Sequence, residues 1–286
     1  NGLKSLDVVL RAFYKVNDKK KWLKDSTKID TYDIYKVTTT APGCKKEYYG
    51  IDSSVTPNAY AVIKEYDVQN MDMNFVKRNM SVLERIHSNT MDPIEGIADI
   101  KQLNEVNTED ESYYVSYVFH KQPMELSQEN LNRADTPFER VQMCKRLSNA
   151  ISQLHNLEEP IYHRLINAKS VVLCDFSDKK FGIVPYLINF DFSKFKAADA
   201  KMTVLEQFKN EVDSLKQEDM EYICEYDMTD TSYEKMDIYA LGILFIRILS
   251  GDLQSPRLDL ADKLNLIEDK LGYRQSRSKL TKLSRL

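Results

Sequence analysis

Short apolar runs separated by turn residues dominate the chain from residue 29 to residue 67. Tyr, Val, Ile and Thr are frequent there, and Pro42-Gly43 and Pro57-Asn58 interrupt the runs. This texture is typical of strands joined by turns, and residues 59–66 form the clearest strand. Residues 96–106 and 112–119 have the same texture, whereas the apolar spacing of residues 74–87 is helical.

After about residue 122 the pattern becomes mostly helical. Residues 138–155 predict a long amphipathic helix, and residues 235–250 predict a helix that is apolar nearly all round and therefore buried. Between them, apolar runs at 170–174 and 183–190 predict a small hairpin. We therefore expect an α+β protein with a helical extension over residues 1–29, a β-rich lobe over 30–121 and a helical lobe over 122–286.

Composition and charge narrow the functional classes. The 286 residues include 40 basic and 44 acidic residues, a formal charge of −4, so we do not expect nucleic acid as a partner. The cysteines are Cys44, Cys144, Cys174 and Cys224. They lie far apart without a C-x-x-C pair, which indicates neither a zinc site nor disulfides and favours a cytoplasmic protein. No apolar stretch approaches the ~18 residues of a membrane helix. The start at Asn1 leads us to expect a domain of a longer protein.

Five short strings, in this order along the chain, resemble the motifs of protein kinases. Residues 61–64 (AVIK) are similar to the V-A-I-K strand, and residues 162–170 (YHRLINAKS) occupy the place of the catalytic loop. Residues 187–192 (LINFDF) stand where D-F-G belongs, residues 222–225 (YICE) resemble A-P-E, and residues 237–242 (DIYALG) resemble the start of the central helix. The resemblance implies a bilobal kinase-like fold with a shortened helical lobe, and ATP with Mg²⁺ as the ligand of its cleft.

The resemblance assigns a role to each position of this site. Lys64 would hold the α- and β-phosphates, and the helical register places Asn79, rather than Glu84, opposite that lysine. The positions of the catalytic base and of the loop's metal-binding amide carry Leu165 and Ser170, and no G-x-G-x-x-G loop is present. The residues expected to line a nucleotide site are Lys64, Asn79, Asn189 and Asp191.

These departures favour a catalytically inactive domain, because phosphoryl transfer requires cradled phosphates and a metal held by carboxylate and amide oxygens. At the D-F-G position Asn189 keeps an oxygen but lacks the charge that magnesium prefers. Asp191 could replace it as a metal ligand, although we favour a solvated turn residue at that position. The alternatives are an atypical Ser/Thr kinase with a degenerate metal site, and a scaffold whose cleft is filled by Tyr48 and Tyr49.

Other positions of the resemblance have structural roles. By analogy with kinases, His163 packs beneath the D-F-G backbone, Arg164 braces the loop, Asp237 caps the loop, and Glu225 forms an ion pair. Residues 202–215 carry a helical pattern that could cover the cleft or a partner, or could pack back on the helical lobe. The basic residues 270–286 are expected to form a solvated helix, the alternative being a contact with phosphate or an acidic partner.

The strings HRLINAKSV and INFDF also resemble divergent bacterial kinase-like domains of multidomain anti-phage defence proteins. We therefore expect a regulatory domain that binds a protein partner or adjacent domains.

Overall fold

An antiparallel sheet occupies the first part of the computed structural model, which describes residues 28–38, 44–67, 73–88, 94–103, 112–176, 182–195, 221–223 and 233–253. Its strand order is β1-β2-β3-β4-β6-β5, and every neighbouring pair is antiparallel. The strands are β1 (Lys28–Ile29), β2 (Tyr32–Thr38), β3 (Cys44–Asp52), β4 (Ala59–Asp67), β5 (Asp99–Leu103) and β6 (Ser112–Phe119). The predictions for residues 1–27, 202–215 and 270–286 and for Glu225 lie outside the described residues.

The predicted strands at 59–66 and 112–119 are confirmed, whereas the strand expected over 96–106 begins only at Asp99, and residues 104–106 lie outside the described residues. Gly96 has a φ of 84°, a conformation that leaves the strand region, and Ile97 forms only an isolated bridge to Leu187. The ladder of β5 therefore begins at Asp99.

One helix, α1 (Met73–Ser88), packs beside this sheet. Val82, Leu83 and Ile86 are buried on one face, and Asn79 is buried with them, whereas Glu84 is exposed. The spacing of three, four and seven residues between these positions is that of one face of an α-helix. The register predicted for this helix is therefore confirmed.

The second part combines helices with short strands. Its helices are α2 (Gln128–Leu131), α3 (Pro137–His155) and α4 (Tyr233–Ser250), and its strands are β7 (Pro123–Glu125), β8 (Ile161–Tyr162), β9 (Val171–Phe176), β10 (Gly182–Leu187) and β11 (Lys194–Phe195). Strands β9 and β10 form the predicted hairpin, with β7 on its edge, and β8 pairs with β11. Single 3-10 turns follow at Ala168–Ser170 and Phe190–Phe192.

The sheet and the helices share one apolar core. A single buried cluster includes Tyr117 of β6, Leu147 of α3, Leu173 of β9 and Leu244 of α4. Helix α4 is less enclosed than its sequence predicts, because Ile238 is 56% exposed in the described part of the chain. None of the described helices has the length and hydropathy needed to cross a membrane. The division at residue 121 stays a prediction.

Candidate functional site

Lys64 lies in the middle of β4, where its side chain is completely buried. Across the sheet it is paired with Glu47 of β3 on one side and with Val115 of β6 on the other. Its Nζ forms an ion pair with Asp191, which lies in the 3-10 turn that follows β10. Lys64 is therefore not a surface lysine.

Asp191 receives hydrogen bonds from three side chains. Its Oδ2 accepts from Lys64 Nζ, and its Oδ1 accepts from the hydroxyl of Tyr66 and from Asn79 Nδ2, the latter at 3.1 Å. Asp191 is 2% exposed, so the expectation of a solvated turn residue is wrong. The reason is that Phe190 and Phe192, its neighbours on either side, are both buried and hold the turn within the protein interior.

Asn79 lies on the inward face of α1 that the apolar spacing indicated, and it reaches Asp191 rather than solvent. Its amide group supplies a donor to the carboxylate without adding a charge. Among the described residues, Lys64 is the cation that forms a hydrogen bond with Asp191. Asn79 and Tyr66 supply neutral donors to the same carboxylate.

A second buried carboxylate, that of Glu47, was missed by the sequence analysis. Glu47 is 3% exposed and accepts a hydrogen bond from the Tyr49 hydroxyl at 3.0 Å. The pKa of Tyr117 is raised well above 10 by burial and then by the negative charges of Asp191 and Glu47. The alternation of β3 places Glu47 and Tyr49 on one face. Only the pairing of β3 with β4 shows that this face is the one carrying Lys64.

Tyr48 and Tyr49 lie on opposite faces of the sheet. Tyr49 belongs to the large core cluster, whereas Tyr48 belongs to a smaller cluster on the other face and donates a hydrogen bond to Glu65 at 2.5 Å. Of the two tyrosines expected to fill the cleft, Tyr49 therefore lies on the face of Lys64 and Tyr48 does not.

The loop that resembles the kinase catalytic loop is closed by its own hydrogen bonds. Ser170 Oγ donates to the Asn167 carbonyl at 2.8 Å and accepts from the Asn167 backbone N–H at 2.9 Å. The Asn167 side chain in turn caps the backbone N–H groups of Lys169 and Ser170. Leu165, at the expected position of the base, is 7% exposed. The Ser170 hydroxyl thus closes a turn, and Leu165 offers no proton acceptor.

Asn189 has left-handed backbone angles, φ 65° and ψ 54°, which asparagine tolerates better than most residues. Its Nδ2 donates to the Lys169 carbonyl at 2.7 Å, and its buried Oδ1 has no hydrogen-bond partner among the described atoms. Asn189, Asp191 and Leu165 line a cavity of about 10 Å³, which is room for about one water molecule.

His163, Arg164 and Asp237 connect this loop to α4. The buried Asp237 carboxylate accepts from the backbone N–H groups of His163 at 2.8 Å and Arg164 at 2.6 Å, and from His155 Nε2 at 2.8 Å. His163 Nε2 donates to the Ile188 carbonyl at 2.9 Å, and burial lowers the pKa of this histidine. The hydrogen bond from its backbone N–H to Asp237 holds Arg164 in a left-handed backbone conformation, with a φ of 69°.

A buried ion pair between Glu221 and Arg247 was also missed. Arg247 Nε and Nη2 donate to the two oxygens of Glu221 at 3.0 and 2.8 Å. Burial by itself would lower the pKa of Arg247. The hydrogen bonds and the negative charge of Glu221 outweigh burial, so the pKa of Arg247 is raised. An arginine within the otherwise apolar stretch 238–249 of α4 was the signal that could have indicated this pair.

The described residues contain no group of three or more His, Cys, Asp or Glu side chains arranged to hold a metal ion. Among the described side chains at this position, Asn189 Oδ1 is a buried oxygen without a hydrogen-bond partner, whereas both oxygens of Asp191 accept hydrogen bonds.

The architecture and site define a mixed α+β protein with an antiparallel sheet, a buried Lys64–Asp191 pair and a mainly helical second part. Over 194 residues the chain is 25% identical to the "probable inactive serine/threonine-protein kinase samkD" of Dictyostelium discoideum. The alignment covers 62% of this chain and 32% of that protein, so the chain spans about a third of the relative's length. No protein-family model matches the chain. The distant similarity supports a protein kinase-like fold.

Proposed function

We propose that this chain is a catalytically inactive protein kinase-like domain, a pseudokinase, that acts as a regulatory and protein-interaction module within a larger protein. The observation that carries the proposal is the fully enclosed ion pair between Lys64 and Asp191. The ammonium group that would hold nucleotide phosphates is paired with Asp191, the carboxylate that could replace Asn189 as a metal ligand.

Electrostatics oppose the binding of a triphosphate beside Lys64. Among the described residues, the buried charged side chains on this face are the cation Lys64 and the carboxylates Asp191 and Glu47. Like charges repel strongly where water is excluded, so phosphate oxygens would gain little from a lysine that is already paired. A nucleotide would have to break the Lys64–Asp191 pair before it could form its own.

Metal binding meets a similar obstacle. Magnesium prefers several hard oxygen ligands in octahedral geometry. The oxygens of Asp191 accept hydrogen bonds from other side chains, and the Ser170 hydroxyl is engaged with Asn167. The free Oδ1 of Asn189 alone does not meet this requirement.

Leu165 removes general-base catalysis from the loop. A side chain without a lone pair cannot accept the proton of a substrate hydroxyl, and the loss of a positioned base costs about 10²–10⁴ in rate. Together with the paired lysine, this leaves binding as the function that the site supports.

One observation favours the alternative, an atypical Ser/Thr kinase. The unpartnered Oδ1 of Asn189 lies beside a cavity that Asp191 also lines, so a metal could bind there after Asp191 had released Lys64. This alternative requires the domain to open the network that closes its cleft.

Thermal unfolding with nucleotides separates the two functions. We expect no change in the melting temperature with millimolar ATP, ADP or GTP, with or without Mg²⁺ or Mn²⁺. A ligand at about 100 times its Kd adds roughly 2.7 kcal/mol of stability, so a working site would be detected. A Mg²⁺-dependent increase that disappears in Asn189→Ala, but persists in the control Asn149→Ala on an exposed face of α3, would overturn the proposal.

Transfer of labelled phosphate provides the second test. We expect none, either to the chain itself or to general protein substrates. Incorporation that Lys64→Met abolishes would establish the atypical kinase instead. The regulatory part is tested in the longer protein to which we expect this chain to belong, where removal of residues 28–253 should alter its activity, and an unaltered activity would count against the proposal.

A further inference from the structure

A segment of β2 reaches from the sheet to the second part of the protein. Lys36 Nζ lies 2.9 Å from Glu125 Oε1 in β7. Beside it, the Tyr35 hydroxyl lies close enough to the side chain of Gln122, in the linker between β6 and β7, for that side chain to affect the pKa of Tyr35. Two consecutive residues of one strand thus contact both the linker and β7.

Tyr49 lies directly beneath this segment. Tyr49 is 2% exposed and is paired in register with Lys36 of β2 and Val62 of β4. Lys36 Nζ lies 5.0 Å from the centre of the ring, and the ring of Tyr35 lies 6.4 Å from it. Tyr49 therefore fills space on the Lys64 face of the sheet, and Tyr35 and Lys36 cover it.

An irregularity of the strand explains how Tyr35 reaches the linker. The pairing of β2 with β3 shifts by one residue between Ile34 and Lys36, so Tyr35 falls outside the ladder. A bulge of this kind redirects a side chain and bends its strand. The redirected side chain is the one that contacts Gln122.

The outer contact is weaker than the inner network. The side chains of Lys36 and Glu125 are 44% and 35% exposed, whereas those of Lys64 and Asp191 are 0% and 3% exposed. Ion pairs in contact with water are weak and are screened by salt, and buried pairs are screened much less. The outer contact can therefore open while the inner network stays intact.

We propose that Tyr35 and Lys36 form a strap that closes reversibly over Tyr49 and over the junction between the linker and β7. Opening breaks the contacts with Gln122 and Glu125 and exposes the linker and the edge of β7. This inference rests on the proposed function, because a domain that regulates by binding needs a surface that can change.

A native cysteine reports the opening of the strap. Cys174 of β9 is completely buried, its Sγ donates to the Lys121 carbonyl at 3.6 Å, and its thiol is near enough to influence the pKa of Tyr35. Burial raises the pKa of Cys174 to about 12. Cys144 in α3 is also buried, with a pKa raised to about 12, and serves as an internal control.

The experiment measures the rate at which N-ethylmaleimide labels each thiol, resolved by peptide mass spectrometry. For Glu125→Gln we expect Cys174 to be labelled about two- to fivefold faster, the range for an ion pair in contact with water, while Cys144 is unchanged. Lys36→Met also removes the contact with the Tyr49 ring, so its effect should be at least as large. The double variant should be no faster than Lys36→Met alone.

A matched control lies on the same strand. Asp33 forms an exposed ion pair with Lys28 at 3.1 Å, so Asp33→Asn removes a comparable charge outside the strap and should leave the Cys174 rate unchanged. Added salt should accelerate Cys174 labelling in the wild type and much less in Glu125→Gln.

Two results would overturn the strap: an unchanged Cys174 rate in Glu125→Gln, or an equal rise at Cys144, which would indicate global unfolding. Neither result affects the proposed function, which is tested separately by nucleotide binding, by phosphate transfer and by removal of residues 28–253 from the longer protein.

Discussion

The substitution Asp191→Asn tests the network at the centre of the site. It leaves the completely buried Lys64 ammonium without its carboxylate, while the new side chain has nearly the same shape. Removal of one partner of a buried ion pair typically costs 3–5 kcal/mol, because the remaining charge is uncompensated, so we expect a loss of about 4 kcal/mol. For a domain of this size that loss lowers the melting temperature by roughly 6–20 °C.

Chemical denaturation and thermal unfolding measure this loss, and two further variants make the result specific. Asp175→Asn is the matched control, because Asp175 pairs with Arg133 at the surface, with side chains 32% and 46% exposed, and should lose less than about 1 kcal/mol. The double variant Lys64→Met with Asp191→Asn removes both charges and should recover about half of the loss or more, since apolar replacement of a buried pair is often neutral.

A loss in Asp191→Asn as small as that in Asp175→Asn would refute the reasoning. It would mean that the cleft admits water, which solvates Lys64 when its partner is removed. The enclosed pair would then no longer argue against nucleotide binding.

Three further predictions concern the surrounding structure. Burial lowers the pKa of His163 below 6.5, so as the pH drops the unfolded chain takes up a proton that the folded protein does not. The contribution of His163 to the free energy of unfolding is therefore full above about pH 6.5 and falls as the pH drops. In urea titrations between about pH 8 and pH 5, the free energy of unfolding should depend more steeply on pH in the wild type than in His163→Asn. Glu221→Gln should lower the free energy of unfolding by about 3 kcal/mol in urea denaturation, because it leaves the buried Arg247 without its partner. The control Glu158→Gln, in the largely exposed pair with Arg85, should lower it by less than about 1 kcal/mol. Equal losses in the two variants would contradict this prediction. Thr136→Ala removes the capping box of α3 and should lower stability by about 1 kcal/mol, with Thr136→Ser close to wild type in the same titration.

Local patterns in the sequence predicted most elements of the described fold. The spacing of Val82, Leu83 and Ile86 was sufficient to place Asn79 on the buried face of α1, because one turn of a helix relates residues three and four positions apart. The hairpin β9–β10 and helices α3 and α4 were likewise predicted, since each is formed by neighbours in the chain. The motif order also indicated where the candidate site would lie.

Only the tertiary structure decided what the charged side chains do. Asp191 is 127 residues from Lys64 in the chain, and nothing local indicates that its turn faces inward rather than toward water. The position of Glu47 opposite Lys64 depends on the register of two strands, and the pair of Glu221 with Arg247 depends on a contact across 26 residues. Hydrophobic periodicity is a property of neighbouring residues, whereas the partner of a buried charge is determined by how distant segments pack.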